Sequence, residues 1–382
     1  MTKGIIISGG WGTRLRPLTC TVPKSLMQIV NKPVIERQMM LLKSAGITEI
    51  VLAVSVMADV IKDYFGDGEK FGFTIHYTNE KHPLGTGGAV KLAESYLEDD
   101  NFFMLNGDVI LNFDFSEMLR FHKRKKGIGT IASYEVKDPS RYGVLITDKS
   151  TNLLIEFLEK EEYHPPNGIP VPMPINAGVY ILEPEIFSYI EPEKKISIER
   201  DVFSQISTEN KLYHFPITGI WKDIGKPFDL LQGNILLMND IINNLNSKRQ
   251  NLIDSSAEIN LSTQILPPCT IGKNVVIRKE CKIGPNVIIG DNVYIEDYVD
   301  INNSLIYNES YISKNSKIEK SIISDNCHLG PNVQLKGFNE NPVIIASHVR
   351  ILKDINLIAD SNHSITFCHH EEVKESIKYP IH

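Results

Sequence analysis

Isoleucine recurs every six residues at Ile253, Ile259, Ile265, Ile271, Ile277, Ile283, Ile289, Ile295 and Ile301. A period of six matches neither the 3.6-residue helix nor the two-residue strand. It matches a chain that lays down three short strands per turn, so that each isoleucine stacks on its counterpart in the next coil. The pattern predicts a left-handed parallel β-helix over 253–336. The register slips by one residue to Ile306, Ile312 and Ile318, and again to Ile323, Leu329 and Leu335, and each slip predicts a short corner or bulge. Two positions before each isoleucine from Ile259 to Ile301 stands a small or slim residue: Ala257, Thr263, Cys269, Val275, Cys281, Val287, Val293 and Val299, with Cys327 in the same phase. Three of the five cysteines therefore read as packing residues rather than metal ligands.

The part before the repeat has another rhythm. Short apolar runs at Lys3–Ser8, Glu49–Val56 and Asn101–Leu105 alternate with helical patterns, one starting after Pro33 and stopping at Gly46, another over Thr86–Leu97. That alternation predicts a doubly wound, Rossmann-like α/β domain over 1–238, with ligands beyond the carboxyl ends of the strands. The polar, asparagine-rich stretch 239–252 reads as a linker. Beyond about residue 337 the hexad fades, leaving 337–382 without an assigned fold. His363, Cys368, His369 and His370 there are of metal-ligating types without a known ligand spacing, and the segment reads as a solvated tail.

At the end of the first apolar run stands Gly9-Gly10-Trp11-Gly12-Thr13-Arg14-Leu15-Arg16-Pro17-Leu18-Thr19. A strand, three glycines within four residues and then arginines suit a loop wrapped around phosphate oxygens. Leu15 occupies the place of the third glycine of the dinucleotide fingerprint, and Gly12 is followed by Thr-Arg rather than Lys-Ser/Thr, so two standard nucleotide templates fail. Asp108, after Asn106-Gly107, projects at the same sheet edge and suits either a metal ligand or a turn. Asp223 leaves the same two options open. The turn Leu84-Gly85-Thr86-Gly87-Gly88 offers close backbone approach to a base or ribose, or a helix start capped by Thr86. Glu159-Lys160 pairs a carboxylate with an ammonium, and Asn176 opens another strand.

The formal net charge of −7 argues against a nucleic-acid binder but not against small anionic substrates. No apolar run is long enough for a membrane span, and the N-terminal run does not read as a secretory signal. Five cysteines without a Cys-x-x-Cys favour a reducing compartment, the cytoplasm.

The order of these segments resembles the sugar-1-phosphate nucleotidylyltransferases, most closely the mannose-1-phosphate guanylyltransferases. The resemblance is carried by Gly9–Thr19, Pro23-Lys24-Ser25-Leu26, Asn31-Lys32-Pro33, Pro83–Thr86, Asn106–Val109, Tyr142-Gly143-Val144, Asn176-Ala177-Gly178, Ser197–Phe203 and Trp221–Pro227. It implies transfer of a nucleotidyl group from a nucleoside triphosphate to a sugar 1-phosphate with release of pyrophosphate, GTP and mannose 1-phosphate giving GDP-mannose. A uridine or thymidine nucleotide with glucose 1-phosphate is the runner-up. By resemblance, Arg14 holds the departing pyrophosphate and Lys24 bridges the two substrates' phosphates. Asp108 and Asp223 carry Mg²⁺. Gly9, Gly10, Gly12 and Thr13 wrap the triphosphate, and Glu80, Gly85 and Thr86 face the base and ribose. Gly143, Glu159, Lys160 and Asn176 seat the sugar phosphate. The chain departs from the family where Glu161 replaces a proline after Lys160 and where Ser25 replaces one after Lys24. An acidic residue beside Lys160 would weaken its grip on a phosphate. Two other readings stand beside this one: a non-catalytic regulatory relative, and an added acyltransferase site on the β-helix at His328. Flat coil faces predict a homo-oligomer through the β-helix.

Overall fold

The computed structural model describes residues 2–80, 82–245 and 250–378. The chain forms two compact units. One comprises Met1–Trp11, Pro23–Leu26 and Val34–Trp221, the other Gly12–Val22, Met27–Pro33 and Lys222–His382.

The first unit is built on a nine-stranded sheet. Its strands are β1 (Lys3–Ser8), β2 (Glu49–Val54), β3 (Thr74–Asn79), β4 (Phe102–Asn106), β5 (Gly129–Val136), β6 (Val144–Asp148), β7 (Leu153–Leu158), β8 (Met173–Leu182) and β9 (Leu212–Pro216). They lie in the order β3-β2-β1-β4-β8-β5-β9-β7-β6. β1 runs parallel to β2 and β4. Ile5 and Ile6, which point to opposite faces, are both fully buried, as a strand covered on two sides requires. The sheet is mixed, because β8 runs antiparallel to both β4 and β5. The helix Val34–Ser44 buries Val34, Ile35, Met39 and Leu42 along one stripe. The expected helix over Thr86–Leu97 is two, Gly85–Leu92 and Glu94–Leu97, broken at Ala93.

The second unit holds a left-handed parallel β-helix of three seven-stranded sheets. Ile253, Ile271, Ile289, Ile306, Ile323 and Ile345 are in register on one face, and Ile259, Ile277, Ile295, Ile312, Leu329 and Ile351 on the next. Cys269, Cys281 and Cys327 are buried in the same core, as free thiols. Burial pushes the Cys269 thiol up to about 11 and the Cys327 thiol to about 12, as expected of packing residues. The register slips are shortened corners, not bulges. Val287 pairs with Ser304 and Leu305 with Ile322, one residue sooner than in the preceding coils, and the corners at Asn303 and Lys320 have φ of 45° and 47°.

Two boundary expectations are corrected. The supposed linker 239–252 is partly helix, since Pro227–Asn244 continues through Ile242, which is buried, and strand pairing resumes at Asn251–Ile253. Residues 246–249 of that stretch lie outside the described residues. The supposed solvated tail is two further coils, of which Val343–Ile345, Arg350–Ile351 and Asn356–Ile358 form the first. Ile365–Phe367, Glu372–Val373 and Ile377–Lys378 extend all three ladders. Ser321 pairs with Val343 and Val343 with Ile365, so these last coils are longer and leave the six-residue phase while keeping the stack. Residues 379–382 lie outside the described residues. Among the described residues no helix is long and apolar enough to cross a membrane.

Candidate active site

In the first unit the carboxyl ends of parallel β1 and β4 open onto a cavity of about 220 Å³, whose walls include Gly9, Gly10, Lys24, Thr86, Asn106 and Asp108. Gly107 sets the geometry. Its N–H donates to the Ile7 carbonyl at 2.9 Å, and a Cβ at this position would sit 2.7 Å from that same oxygen. Only glycine lets the chain leave β4 that close to β1 and deliver Asp108 to the cavity. Lys24 Nζ stands 2.6 Å from Asp108 Oδ2. The lysine side chain is only 11% exposed, so its ammonium needs that carboxylate, while Asp108 remains 41% exposed. The hydroxyls of Ser8 and Ser25, on the cavity wall, share a hydrogen bond of 2.5 Å. Among the described residues, a Cβ built on Gly10 would meet no atom within 4 Å, and one on Gly9 only Ser55 at 3.6 Å. Protein packing does not demand these two glycines, so the space beside their backbone is open to a ligand.

From the cavity wall a polar network runs through five side chains. Thr86 Oγ1 donates to Glu199 Oε2 at 2.7 Å, and Ser197 Oγ donates to the same oxygen at 2.9 Å. The Tyr180 hydroxyl donates to Glu199 Oε1 at 3.0 Å and accepts from Asn176 Nδ2 at 2.8 Å. Burial, and then the Glu199 charge, hold the Tyr180 phenol well above its ordinary value, so it stays protonated and donating. Asn176 is fixed further by its N–H to the Gly143 carbonyl at 2.9 Å and by its Oδ1, which accepts from the Gly178 N–H at 3.0 Å. Glu199 went unassigned in the sequence. Its one sequence signal is its place in Ser197–Phe203, a segment that carries the family resemblance.

In the second unit the residues Gly12–Val22 form a short turn, Thr13–Leu15, closed by the Leu15 N–H on the Gly12 carbonyl at 2.9 Å. Thr19 Oγ1 donates to that carbonyl at 2.8 Å. Arg14 and Asp223 approach the same point. A Cβ on Gly225 would lie 2.7 Å from Asp223 Oδ2 and 3.4 Å from Arg14 Nη1. The turn therefore brings a guanidinium and a carboxylate to one glycine.

Other expected site residues have protein partners instead. Lys160 Nζ pairs with Glu161 at 3.3 Å, both largely exposed, so the residue that departs from the family pattern occupies the lysine. Glu159 is partly buried, and burial followed by the nearby Glu199 charge pushes its carboxyl up. Glu80 accepts from the Leu84 N–H at 3.2 Å, and burial pushes its carboxyl up as well. Gly85 has φ +73°, and a Cβ there would strike the Ile196 carbonyl at 2.5 Å, so its backbone approaches the protein's own chain. Thr86 is not a helix cap. The helix Gly85–Leu92 starts without a side-chain cap, and the Thr86 hydroxyl accepts from the Ile198 N–H at 2.9 Å. His328 lies on an outer coil face, stacked on Tyr311 at 5.0 Å. Among the described residues no group of three or more His, Cys, Asp or Glu could hold a metal by itself.

Open space beside a glycine loop and a Lys–Asp pair at the carboxyl edge of an α/β sheet are where a sheet of this class takes its ligand. Residues 3–239 match the family model described as Nucleotidyl transferase, and residues 265–381 match that described as GMPPB C-terminal domain. The chain belongs to the nucleotidyl transferase family. It is 45% identical over 246 residues to the mannose-1-phosphate guanyltransferase of Saccharomyces cerevisiae, covering 63% of this chain and 65% of that one. The match thus spans just under two thirds of the yeast protein's length. A probable mannose-1-phosphate guanylyltransferase 3 of Oryza sativa subsp. japonica is 38% identical over 295 residues, covering 75% of this chain and 79% of that one. Among solved structures, a putative glucose-1-phosphate thymidylyltransferase from Bacillus anthracis superposes with a TM-score of 0.56 at 26% identity, covering 65% of this chain and 98% of the other. HddC from Yersinia pseudotuberculosis, complexed with GMP-PN, gives 0.52 at 30% identity, covering 61% and 98%.

Proposed function

We propose that this protein transfers a nucleotidyl group from a nucleoside triphosphate to a sugar 1-phosphate, with GTP and mannose 1-phosphate giving GDP-mannose and pyrophosphate. The observation that carries the reading is the Lys24–Asp108 pair in a cavity walled by Gly9 and Gly10. The attacking phosphate oxygen is already an anion, so the reaction needs no general base. Its obstacle is holding two polyanions in line, which positioned positive charge and backbone N–H groups relieve. Lys24 bridges the α-phosphate and the incoming sugar phosphate, exchanging its bond to Asp108 for these oxygens. Arg14 steadies the leaving pyrophosphate, and the backbone of Gly9, Gly10, Gly12 and Thr13 wraps the triphosphate. Glu80, Gly85 and Thr86 flank the base and ribose. Asn176, Gly143, Glu159 and Lys160 seat the sugar phosphate, with Glu199 holding Thr86 and Tyr180 in place.

The donor chemistry fits Mg²⁺, which takes one or two carboxylates and completes its shell with substrate phosphates. Asp108, with its carboxylate partly open to solvent, and Asp223 would hold it. When bound, the ion neutralises charge on the triphosphate. The catalytic part runs over 1–238, and the reaction belongs in a reducing compartment, the cytoplasm. Self-association through the β-helix belongs to the same proposal, supported by the exposed Ile253 and Leu261 of its first coil. A monomer mass in light scattering would contradict it.

The guanosine and mannose assignment is supported by the names of the curated relatives. The Bacillus anthracis neighbour favours a second reading, a thymidine nucleotide with glucose 1-phosphate. Incubation with Mg²⁺, each nucleoside triphosphate and mannose or glucose 1-phosphate decides. Pyrophosphate should appear fastest from GTP with mannose 1-phosphate, and its absence from every pairing would end the enzyme reading.

A further inference from the structure

The histidines of the last coils differ in what they touch. His363 bonds Asp360 at 3.0 Å, and His370 stacks on His348 at 4.7 Å. His369 reaches much farther along the chain. Its Nε2 lies 3.0 Å from the Pro17 carbonyl oxygen and 3.5 Å from the Thr21 hydroxyl. A carbonyl only accepts, so Nε2 carries the hydrogen. Nδ1 is buried and has no hydrogen-bond partner among the described residues, so the Nε2 bond is the ring's polar anchor.

The segment that His369 holds, Gly12–Val22, packs in the same compact unit as the β-helix and carries Arg14 in its tight turn. The chain just after Lys24 is tied down in the same way. Asn31 Nδ2 donates to the Ile289 carbonyl at 2.7 Å, the buried Tyr307 hydroxyl donates to the Gln28 carbonyl at 3.2 Å, and the Val30 N–H donates to Asn234 Oδ1 at 2.8 Å. Within the second unit, the segments Gly12–Val22 and Met27–Pro33 are thus both anchored to β-helix coils or to the helix Pro227–Asn244.

We propose that His369, through its bond to Pro17, is a positioning residue that fixes the turn presenting Arg14. The inference rests on the nucleotidyl-transfer reading, which gives Arg14 its task. A positioning residue that acts through Arg14 should matter to the nucleotide and not to the sugar phosphate. Loss of one such hydrogen bond corresponds to about a five- to tenfold fall in rate constant.

The test compares His369→Ala, His369→Gln and His370→Ala in the full chain. His369→Ala should lower kcat/KM for the nucleoside triphosphate about five- to tenfold and leave KM for the sugar phosphate unchanged. Glutamine places an amide N–H near the position of Nε2, so His369→Gln should restore most of the loss, and His370→Ala should behave as wild type. In an Arg14→Ala background His369→Ala should add nothing further. Hydrogen exchange supplies a readout independent of turnover: amides of residues 13–21 should exchange faster in His369→Ala. Wild-type kinetics together with unchanged exchange would overturn the inference, as would an equal loss for both substrates that follows Tm and resists glutamine. Should the wild-type chain release no pyrophosphate from any pairing, the transfer reading fails by itself. The exchange of residues 13–21 then decides the positioning claim, and unchanged rates overturn it.

Discussion

The β-helix and the α/β sheet reach order by opposite routes. In the β-helix one solution is repeated coil after coil, so that Ile295, stacked between Ile277 and Ile312, differs little from the isoleucine above or below it. Around the cavity nothing repeats. Lys24, Asp108, Thr86 and Glu199 each have their own partners and no understudy. Repetition spreads stability over many equivalent contacts, whereas single-copy polar groups concentrate chemistry on a few atoms. Substitutions in the two regions should therefore damage different properties.

The sharpest way to break that contrast is Lys24→Ala. Loss of a positioned charge at the reacting phosphates should lower kcat about a hundred- to a thousandfold. Tm should hardly move, because the Asp108 carboxylate left behind is 41% exposed. A matching collapse of Tm would show that Lys24 is structural. The converse is Ile295→Ala, which opens a cavity in a fully buried stack and should cost about 2–5 kcal/mol of unfolding free energy. Its kcat and KM well below Tm should match wild type, and a selective kinetic defect would join what the comparison separates.

Glu199→Gln probes the seam between the two behaviours, since Glu199 is a charged acceptor for three hydroxyls. KM for the sugar phosphate should rise about tenfold, the scale of a hydrogen bond to a charged group, with a smaller change in kcat. An unchanged KM would remove Glu199 from the sugar side of the site.

The smallest expected effect is on stability against pH. Burial lowers His214 to about 4, while its Nδ1 shares a 2.9 Å bond with the Ser133 hydroxyl. The unfolded chain takes up this proton near pH 6.5 and the folded chain only near pH 4, so between these values the unfolded state binds more protons. Stability should accordingly fall as pH drops from 6.5 towards 4. Buried His122, also lowered by burial, adds in the same direction. His214→Gln should make the fall in Tm over that range shallower, and an identical slope would contradict this assignment.

Legibility follows the same division. The isoleucine period was enough to place the β-helix because every coil restates it. It was not enough to find the last coils, where the longer spacings from Ser321 to Val343 and from Val343 to Ile365 leave the six-residue phase although the stack continues. Nor did it show why asparagine abounds there. Asn274, Asn292, Asn315 and Asn332 occupy corners with positive φ, which asparagine tolerates better than most residues, and their amides bond from coil to coil. In the α/β part, loop context points to Asp108 and the family resemblance to Lys24. Their pairing across 84 residues of sequence is a property of the folded sheet edge. Glu199 is not legible in the sequence, because a carboxylate has no signature until its hydroxyl partners are known. The resemblance gives Lys160 a sugar phosphate, yet in the structure it pairs with the neighbouring Glu161.

The central claim is attack of a sugar phosphate oxygen on the α-phosphorus, and isotopic labelling of the nucleotide tests it most directly. With GTP labelled at the α- or the γ-phosphate, Mg²⁺ and mannose 1-phosphate, the α-label should appear in a nucleotide-sugar and the γ-label in pyrophosphate, both only when the sugar phosphate is present. Release of γ-label as inorganic phosphate, or nucleotide breakdown indifferent to the sugar phosphate, would contradict it.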